Sequence, residues 1–290
     1  MTATTVLDRT SRVSGASGTS SVSGTSTANP GGGAPALVVV AHGSRDPRAL
    51  STVRALLDRV RALRPALPVH LGHIELNAPL LPDTLAALGE RAAVLVPLLL
   101  SRGYHVKQDI PEMAAASPAR TGVAAPLGPH SLLVDALHDR LTEAGWPARA
   151  PRDGAVVLAS AGSRDPESRT DTGRTAALLA ERLGVPVLPA YASAAAPTVP
   201  EAVRALAARG YRRVAVASYF TAPGRFATEC AAAAPWIASA PLGTHPAMAR
   251  LLLHRYDQVS AARGDDSAPE GARPAATEPA LARQQHPAHA

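Results

Sequence analysis

Between residues 36 and 256 short apolar runs alternate with stretches of helical periodicity. The run ALVVVA at 36–41 precedes a segment, 47–63, whose apolar positions Leu50, Val53, Leu57 and Val60, with Leu56 beside them, recur at helical spacing. The same alternation predicts a strand at 69–75, a helix at 81–89, a strand at 92–98, a loop, a helix at 110–116, a short strand at 122–126 and a helix at 131–143. It then resumes, with strands near 155–160, 186–190, 213–218 and 236–240. Strands that are apolar without a two-residue alternation, each followed by a helix, predict a parallel sheet covered on both faces. Ligands of such sheets lie beyond the carboxyl ends of the strands.

The second series repeats the first. AHGSRDP (41–47) returns as SAGSRDP (160–166), APLLPDTLAAL (78–88) as APTVPEAVRAL (196–206), VLVPLLLSRGYH (94–105) as VAVASYFTAPGRF (214–226), and LGPHSLLVDALHDRL (127–141) as LGTHPAMARLLLHRY (242–256). The offsets are 119, 118, 121 (at the His105–Phe226 end of the third pair) and 115, a period disturbed only by loop-sized changes. The fold class expected is therefore α/β, with two similar four-stranded, doubly wound halves at 36–150 and 151–257. Residues 1–35 are Ser/Thr/Gly-rich and residues 258–290 are Ala/Pro/charged, so both are expected to be disordered. The start has no apolar signal core, and its Ser-rich, acid-poor composition reads as a disordered arm rather than an organellar transit peptide. The longest apolar run, Ala92 to Leu100, is too short to span a bilayer. A soluble, cytoplasmic protein is expected.

Composition narrows the chemistry. The 29 basic residues include one lysine, Lys107, so there is no Gly-Lys-Ser/Thr phosphate loop, and a Schiff-base enzyme would have to use that residue. The single cysteine, Cys230, excludes internal disulfides, cysteine-based zinc fingers and a self-contained iron–sulfur cluster. The formal charge is +6, but the first 35 residues carry +1 and residues 257–290 carry −2, which places +7 on 36–256. A basic body points to an acidic partner. Without a Lys/Arg block or an aromatic-plus-basic stripe, nucleic acid is not the partner expected.

Three first-half residues fall where a parallel sheet binds ligands. His42 closes the first strand, His105 follows the third in SRGYHVKQDIP, and Glu75 ends the second, with His73 two residues earlier on the same strand face. Two imidazoles and a carboxylate on neighbouring strand ends suit a divalent first-row metal. Ordinary structural roles account for other parts of these motifs: Asp46-Pro47 starts a helix, and Asp109-Ile-Pro-Glu112 has the spacing of a capping box. The repeat supplies an internal control. His42 aligns with Ala161, Glu75 with Ser193 and His105 with Phe226, whereas Gly-Ser-Arg-Asp-Pro and Ala-Pro-x-x-Pro stand in both copies. One half is expected to be active, while the other completes the architecture. His130 and His245 match each other after Leu-Gly and read as structural.

AHGSRDPRA, then Glu75-Leu76-Asn77-Ala78-Pro79, VPLLLSRGYHVKQDIP and LGPHSLL closely resemble the sirohydrochlorin chelatase family, over roughly residues 36–256 and more strongly in the first half. The resemblance implies two α/β domains facing a central cleft, where Fe2+ or Co2+ is inserted into sirohydrochlorin without ATP and without a tightly bound cofactor. It implies His42 and His105 as the metal-handling pair and Glu75 as their acidic helper. The family usually has an apolar residue where His73 stands, so His73 is either an added ligand or a polar wall residue. Ser44, Arg45, Arg102, Tyr104 and Lys107 flank the histidines, and the cationic ones are placed to receive the carboxylates of this polyanionic tetrapyrrole. Iron insertion is the expected reaction and cobalt insertion the alternative, because His/carboxylate donors do not by themselves select between the metals. A non-catalytic metal or tetrapyrrole carrier is the alternative of a different class. A monomer or weak homo-oligomer, with no nucleic-acid or membrane partner, is expected.

Overall fold

The structure, a computed structural model, describes residues 34–265; the expected N-terminal arm and the tail beyond 265 lie outside the described residues. The first half runs β1 (Ala36–Ala41), α1 (Pro47–Leu63), β2 (Val69–His73), α2 (Leu81–Leu88), β3 (Ala93–Pro97), a π-helical turn (His105–Asp109), α3 (Ile110–Ala115), β4 (Thr121–Val123) and α4 (Ser131–Glu143). The second runs β5 (Gly154–Ser160), α5 (Pro166–Leu183), β6 (Val187–Tyr191), α6 (Val199–Ala208), β7 (Arg213–Ser218), α7 (Arg225–Ala232) and α8 (Pro246–Asp265). All pairings are parallel, in the orders β2-β1-β3-β4 and β6-β5-β7. β1 and β5 are the central strands and are buried at every position, which is why ALVVVA and GAVVLAS show no alternation.

The fourth strand expected near 236–240 is reduced to a single bridge, Val216 to Ala238. Ser239 Oγ takes the Ser218 N–H at 3.0 Å, where a ladder would use a backbone carbonyl. Pro235 and Pro241, which have no N–H to donate, bracket the segment. The second sheet therefore has three strands.

The two halves do not have separate interiors. One core runs from Leu37, Val39, Val94 and Val96 of the first sheet to Val156, Leu158, Ala215 and Ala217 of the second, with the inner faces of α1, α4, α5 and α8 between them. Helices α2 and α3 cover the outer face of the first sheet, and α6 and α7 that of the second. The last helix of each half packs on the other half: α4 against α5 and β7, α8 against α1 and β3. The C-terminal boundary expected at 257 also moves, because α8 continues to Asp265. Asp257 accepts two hydrogen bonds from Arg64, Tyr256 Oη donates to Pro35 O at 2.6 Å, and Val259 packs on the shared core. These contacts hold the helix past the point where composition alone suggests a tail.

Tyr219 joins the halves through a polar contact inside this core. Its ring is fully buried at the end of β7, its hydroxyl donates to Leu100 O at 3.0 Å, and it lies 3.2 Å from Thr175 Oγ1. Burial pushes the phenol well above the usual tyrosine range, so it stays a neutral donor. Tyr219→Phe leaves the Leu100 carbonyl without this donor and should cost about 1–2 kcal/mol, measured by urea denaturation. An unchanged midpoint and slope would show that the bond contributes nothing to joining the halves.

Candidate active site

The cleft lies beyond the carboxyl ends of both sheets, with a volume of about 400 Å3 and lining from both halves. His42 enters it from the end of β1. The backbone there is forced: Gly43 has φ +102°, and a Cβ on it would collide with the Glu75 carbonyl oxygen. Glu75 N in turn donates to His42 O at 3.0 Å, so the loops after β1 and β2 are locked together. The second half builds the same junction from Gly162, at φ +91°, and Ser193, whose N–H donates to Ala161 O at 3.0 Å. The scaffold is duplicated; the functional side chains are not.

His105 comes from the π-helical turn. In that turn the Ile110 N–H reaches back to the His105 carbonyl, a wide turn of the kind that concentrates at functional sites. The His42 and His105 rings meet edge to face with centroids 4.8 Å apart. His42 Nε2 is 3.5 Å from Glu75 Oε1; both side chains are partly exposed, and His42 lines the cleft. The expected grouping of His42, His105 and Glu75 is thus assembled. As placed, however, these groups do not form a three-ligand metal site, and among the described residues no three His, Cys, Asp or Glu side chains do. The site offers a two-imidazole gate with a carboxylate beside it.

Asp109 is the residue that sequence reasoning missed. The capping-box reading of Asp109 and Glu112 fails, because Asp109 is itself helical and its side chain caps nothing. Its Oδ2 instead lies 2.5 Å from His105 Nδ1. That contact puts the ring hydrogen on Nδ1 and turns the Nε2 lone pair outward, the arrangement a metal-handling histidine needs. The signal available in the sequence was the His-x-x-x-Asp spacing. Asn77 was missed as well: its Oδ1 accepts the Ser44 N–H at 2.7 Å, and its counterpart in the second half is Ala195.

Several expected site residues take other roles. Ser44 Oγ accepts the Asp46 N–H at 3.1 Å, just as Ser163 Oγ accepts from Asp165, so Ser44 shapes a helix start in both copies alike. His73 is buried, with Nδ1 3.1 Å from Pro79 O; burial lowers its pKa, and it is not among the residues that line the cleft. Arg102 and Lys107, expected to receive substrate carboxylates, are held by acids of the second half. Arg102 pairs with Asp171 and Glu167, and Lys107 with Asp165 and Glu167. Tyr104 lines the cleft and is 68% exposed. Arg45 is exposed beside His42, and no hydrogen bond or ion pair engages its side chain among the described residues.

The ion pairs across the cleft hold their acids in the charged form. Lys107 keeps the Asp165 carboxyl below the usual range; burial works to raise that of Asp171, but the Arg102 hydrogen bonds outweigh it. Both folded-state values lie below the unfolded carboxylate range of about 4. The stability these pairs contribute is therefore present above that range and lost as pH falls through the lowered values.

The sequence profile of the CbiX family matches this chain twice, at residues 36–144 and again at 155–259. The chain belongs to the CbiX family of sirohydrochlorin chelatases. It is a metal chelatase, a lyase by reaction class. A sirohydrochlorin ferrochelatase of Bacillus subtilis is 32% identical over 176 residues, 57% of this chain and 66% of that one. One from Priestia megaterium is 26% identical over 247 residues, covering 79% of this chain and 92% of the relative. A sirohydrochlorin cobaltochelatase of Priestia megaterium is 27% identical over 205 residues, 65% of this chain and 64% of that one. Among solved structures, SirB from Bacillus subtilis with Fe3+ matches with a TM-score of 0.67 and 26% identity, over 81% of this chain and 98% of that one. No described helix is long and apolar enough to cross a membrane.

Removing the orienting carboxylate tests this site directly. Asp109→Asn should lower metal insertion about 10- to 100-fold, the range for losing a partner of a metal-handling histidine, with the melting temperature unchanged. Wild-type rates would mean that His105 does not depend on Asp109.

Proposed function

We propose that this chain inserts Fe2+ into sirohydrochlorin, without ATP, at the His42–His105 pair. The observation that carries the reading is the asymmetry of the cleft. The two imidazoles face one another 4.8 Å apart in the first half, while Ala161 and Phe226 stand at the equivalent places in the second.

The chemistry required is the exchange of two pyrrole N–H protons for one divalent ion. His105 Nε2, freed by Asp109, and His42 take the metal from solvent and present it to the macrocycle centre. As the metal–nitrogen bonds form, the pyrrole protons need neutral acceptors close by, and the imidazoles released by the metal provide them, with the Glu75 carboxylate next to His42 as the onward acceptor. The two pyrrole protons leave as the divalent ion enters, so charge balances and no oxidation state changes, and the step calls for no electron donor. The macrocycle carboxylates call for cations at the rim, and Arg45, exposed three residues after His42, has no hydrogen bond or ion pair among the described residues. The aromatic side chains Phe220 and Phe226, the only two phenylalanines of the chain, line the opposite wall and offer an apolar surface to the ring.

Iron is favoured because the Priestia megaterium relative matched over 92% of its length is named a ferrochelatase. Cobalt is the second reading, since a relative named a cobaltochelatase is matched at 27% identity and the donor set suits either ion. Site residues, metal preference and substrate are tested together by following sirohydrochlorin absorption with Fe2+ or Co2+ at two salt concentrations. His42→Ala and His105→Ala should each remove most turnover from a folded protein. Added salt should raise KM more than it lowers kcat, and Arg45→Ala should blunt that dependence. Multiple turnovers exclude a carrier; near-normal rates in either histidine variant contradict the assignment.

A further inference from the structure

The half without histidines grips the loop that carries His105. Asp171, on α5, has a side chain only 2% exposed, and three donors converge on it from the other half. Its Oδ2 accepts the backbone N–H of Arg102 at 2.9 Å and the Arg102 Nε–H at 3.0 Å, and its Oδ1 accepts from Arg102 Nη2 at 2.6 Å. Arg102 Nη1 also donates to Glu167 Oε1 at 2.9 Å, and Ser101 Oγ lies 2.9 Å from Ser168 Oγ. On the far side of His105, Lys107 pairs with Asp165 and Glu167. His105 is thus held from both directions, three residues before it and two after, by groups of the opposite half. The contact to the Arg102 backbone N–H fixes main chain, which a surface ion pair alone would not do.

This grip is specific to one side of the duplicated molecule. The loop-over-helix approach itself occurs twice: a Cβ on Gly103 would lie 3.7 Å from Ser163 Oγ, and one on Gly224 would lie 3.9 Å from Ser44 Oγ. The charges occur once. At the repeat offset, Asp171 corresponds to Thr52, Glu167 to Arg48 and Arg102 to Pro223. At Asp171 and Glu167 the second half has acids where the first has none, whereas Asp165 has its copy in Asp46; all three face a loop that carries a histidine where its own copy has Phe226.

We infer that Asp171 is a positioning residue for His105, acting from the opposite half through Arg102. The inference rests on the reading that His105 handles the metal. An ordered Arg102–Lys107 segment keeps the His105 ring beside His42, so the half without catalytic side chains contributes to the rate by restricting where the loop can go.

The test uses the full chain. Asp171→Asn keeps the shape but loses the charge, and Asp171→Asn with Arg102→Gln removes both charges, so that no buried ion is left without its partner. Amide hydrogen exchange over residues 101–106, turnover with sirohydrochlorin, and the visible spectrum of added Co2+ without macrocycle are measured for each. Both variants should exchange about tenfold faster over 101–106, with β7 and α6 protected as in the wild type, and kcat should fall about tenfold, the size expected when an orienting group is lost. The KM for sirohydrochlorin should stay within about threefold, because a loss confined to kcat marks an interaction needed for the chemical step rather than for binding. The Co2+ spectrum should weaken as the two imidazoles cease to be held together. If Asp171→Asn does not fold, the double variant decides. Wild-type kcat and exchange in a folded variant overturn the inference. A wild-type protein that metallates no sirohydrochlorin overturns the functional reading instead, and the exchange and Co2+ measurements still decide whether Asp171 holds the loop.

Discussion

The apolar layer shared by the two sheets is the constraint on which the rest depends. Each half has an outer face it covers by itself, α2 and α3 on one sheet and α6 and α7 on the other, but neither covers its inner face alone. The inner faces of α1, α4, α5 and α8 fill a single interior between the sheets, and the last helix of each half is lent to the other. Burial of this layer is the main force joining the halves, since apolar area removed from water outweighs the few polar links across them. A cleft bounded by one continuous core has walls that do not drift apart, and it can hold two imidazoles 4.8 Å apart.

Duplication also explains how the site is economical. Both halves retain the parts that make the strand-end junction: a glycine at positive φ, a serine that receives the helix-start N–H, and an aspartate that caps the helix. With the scaffold specified twice, the side chains at its tip are free to diverge. The first half places His42, Glu75 and His105 there, with Asn77 and Asp109 as their supports. The second half places Ala161, Ser193 and Phe226 there, which leaves space and adds an aromatic side chain to the lining.

What the sequence revealed, and what it did not, follows from the range of each interaction. The parallel sheets, the repeat and the strand-end histidines were legible because they depend on local periodicity and on comparing one copy with the other. The loss of the fourth strand in the second half was not, because a serine hydroxyl replaces a ladder bond there and two prolines withhold donors. The run of α8 past 257 was also hidden, since it depends on Arg64 and Pro35, close in space and far along the chain. The partners of Arg102 and Lys107 were hidden for the same reason: the acids they meet lie some 60 residues away, on α5 and the turn that starts it. Asp109 shows a different error: its partner His105 is only four residues away, so the His-x-x-x-Asp spacing was legible, but the helix-start motif was read in its place.

The central claim is that the first-half imidazoles receive the metal. Crystals soaked with Co2+ and measured at the cobalt absorption edge locate it without any assumption about turnover. The account predicts an anomalous peak about 2.1 Å from a ring nitrogen of both His42 and His105, the usual metal–imidazole distance, with nothing comparable beside Phe226. A peak elsewhere, such as at the His138–Asp139–His245 cluster, with none between His42 and His105, would contradict it.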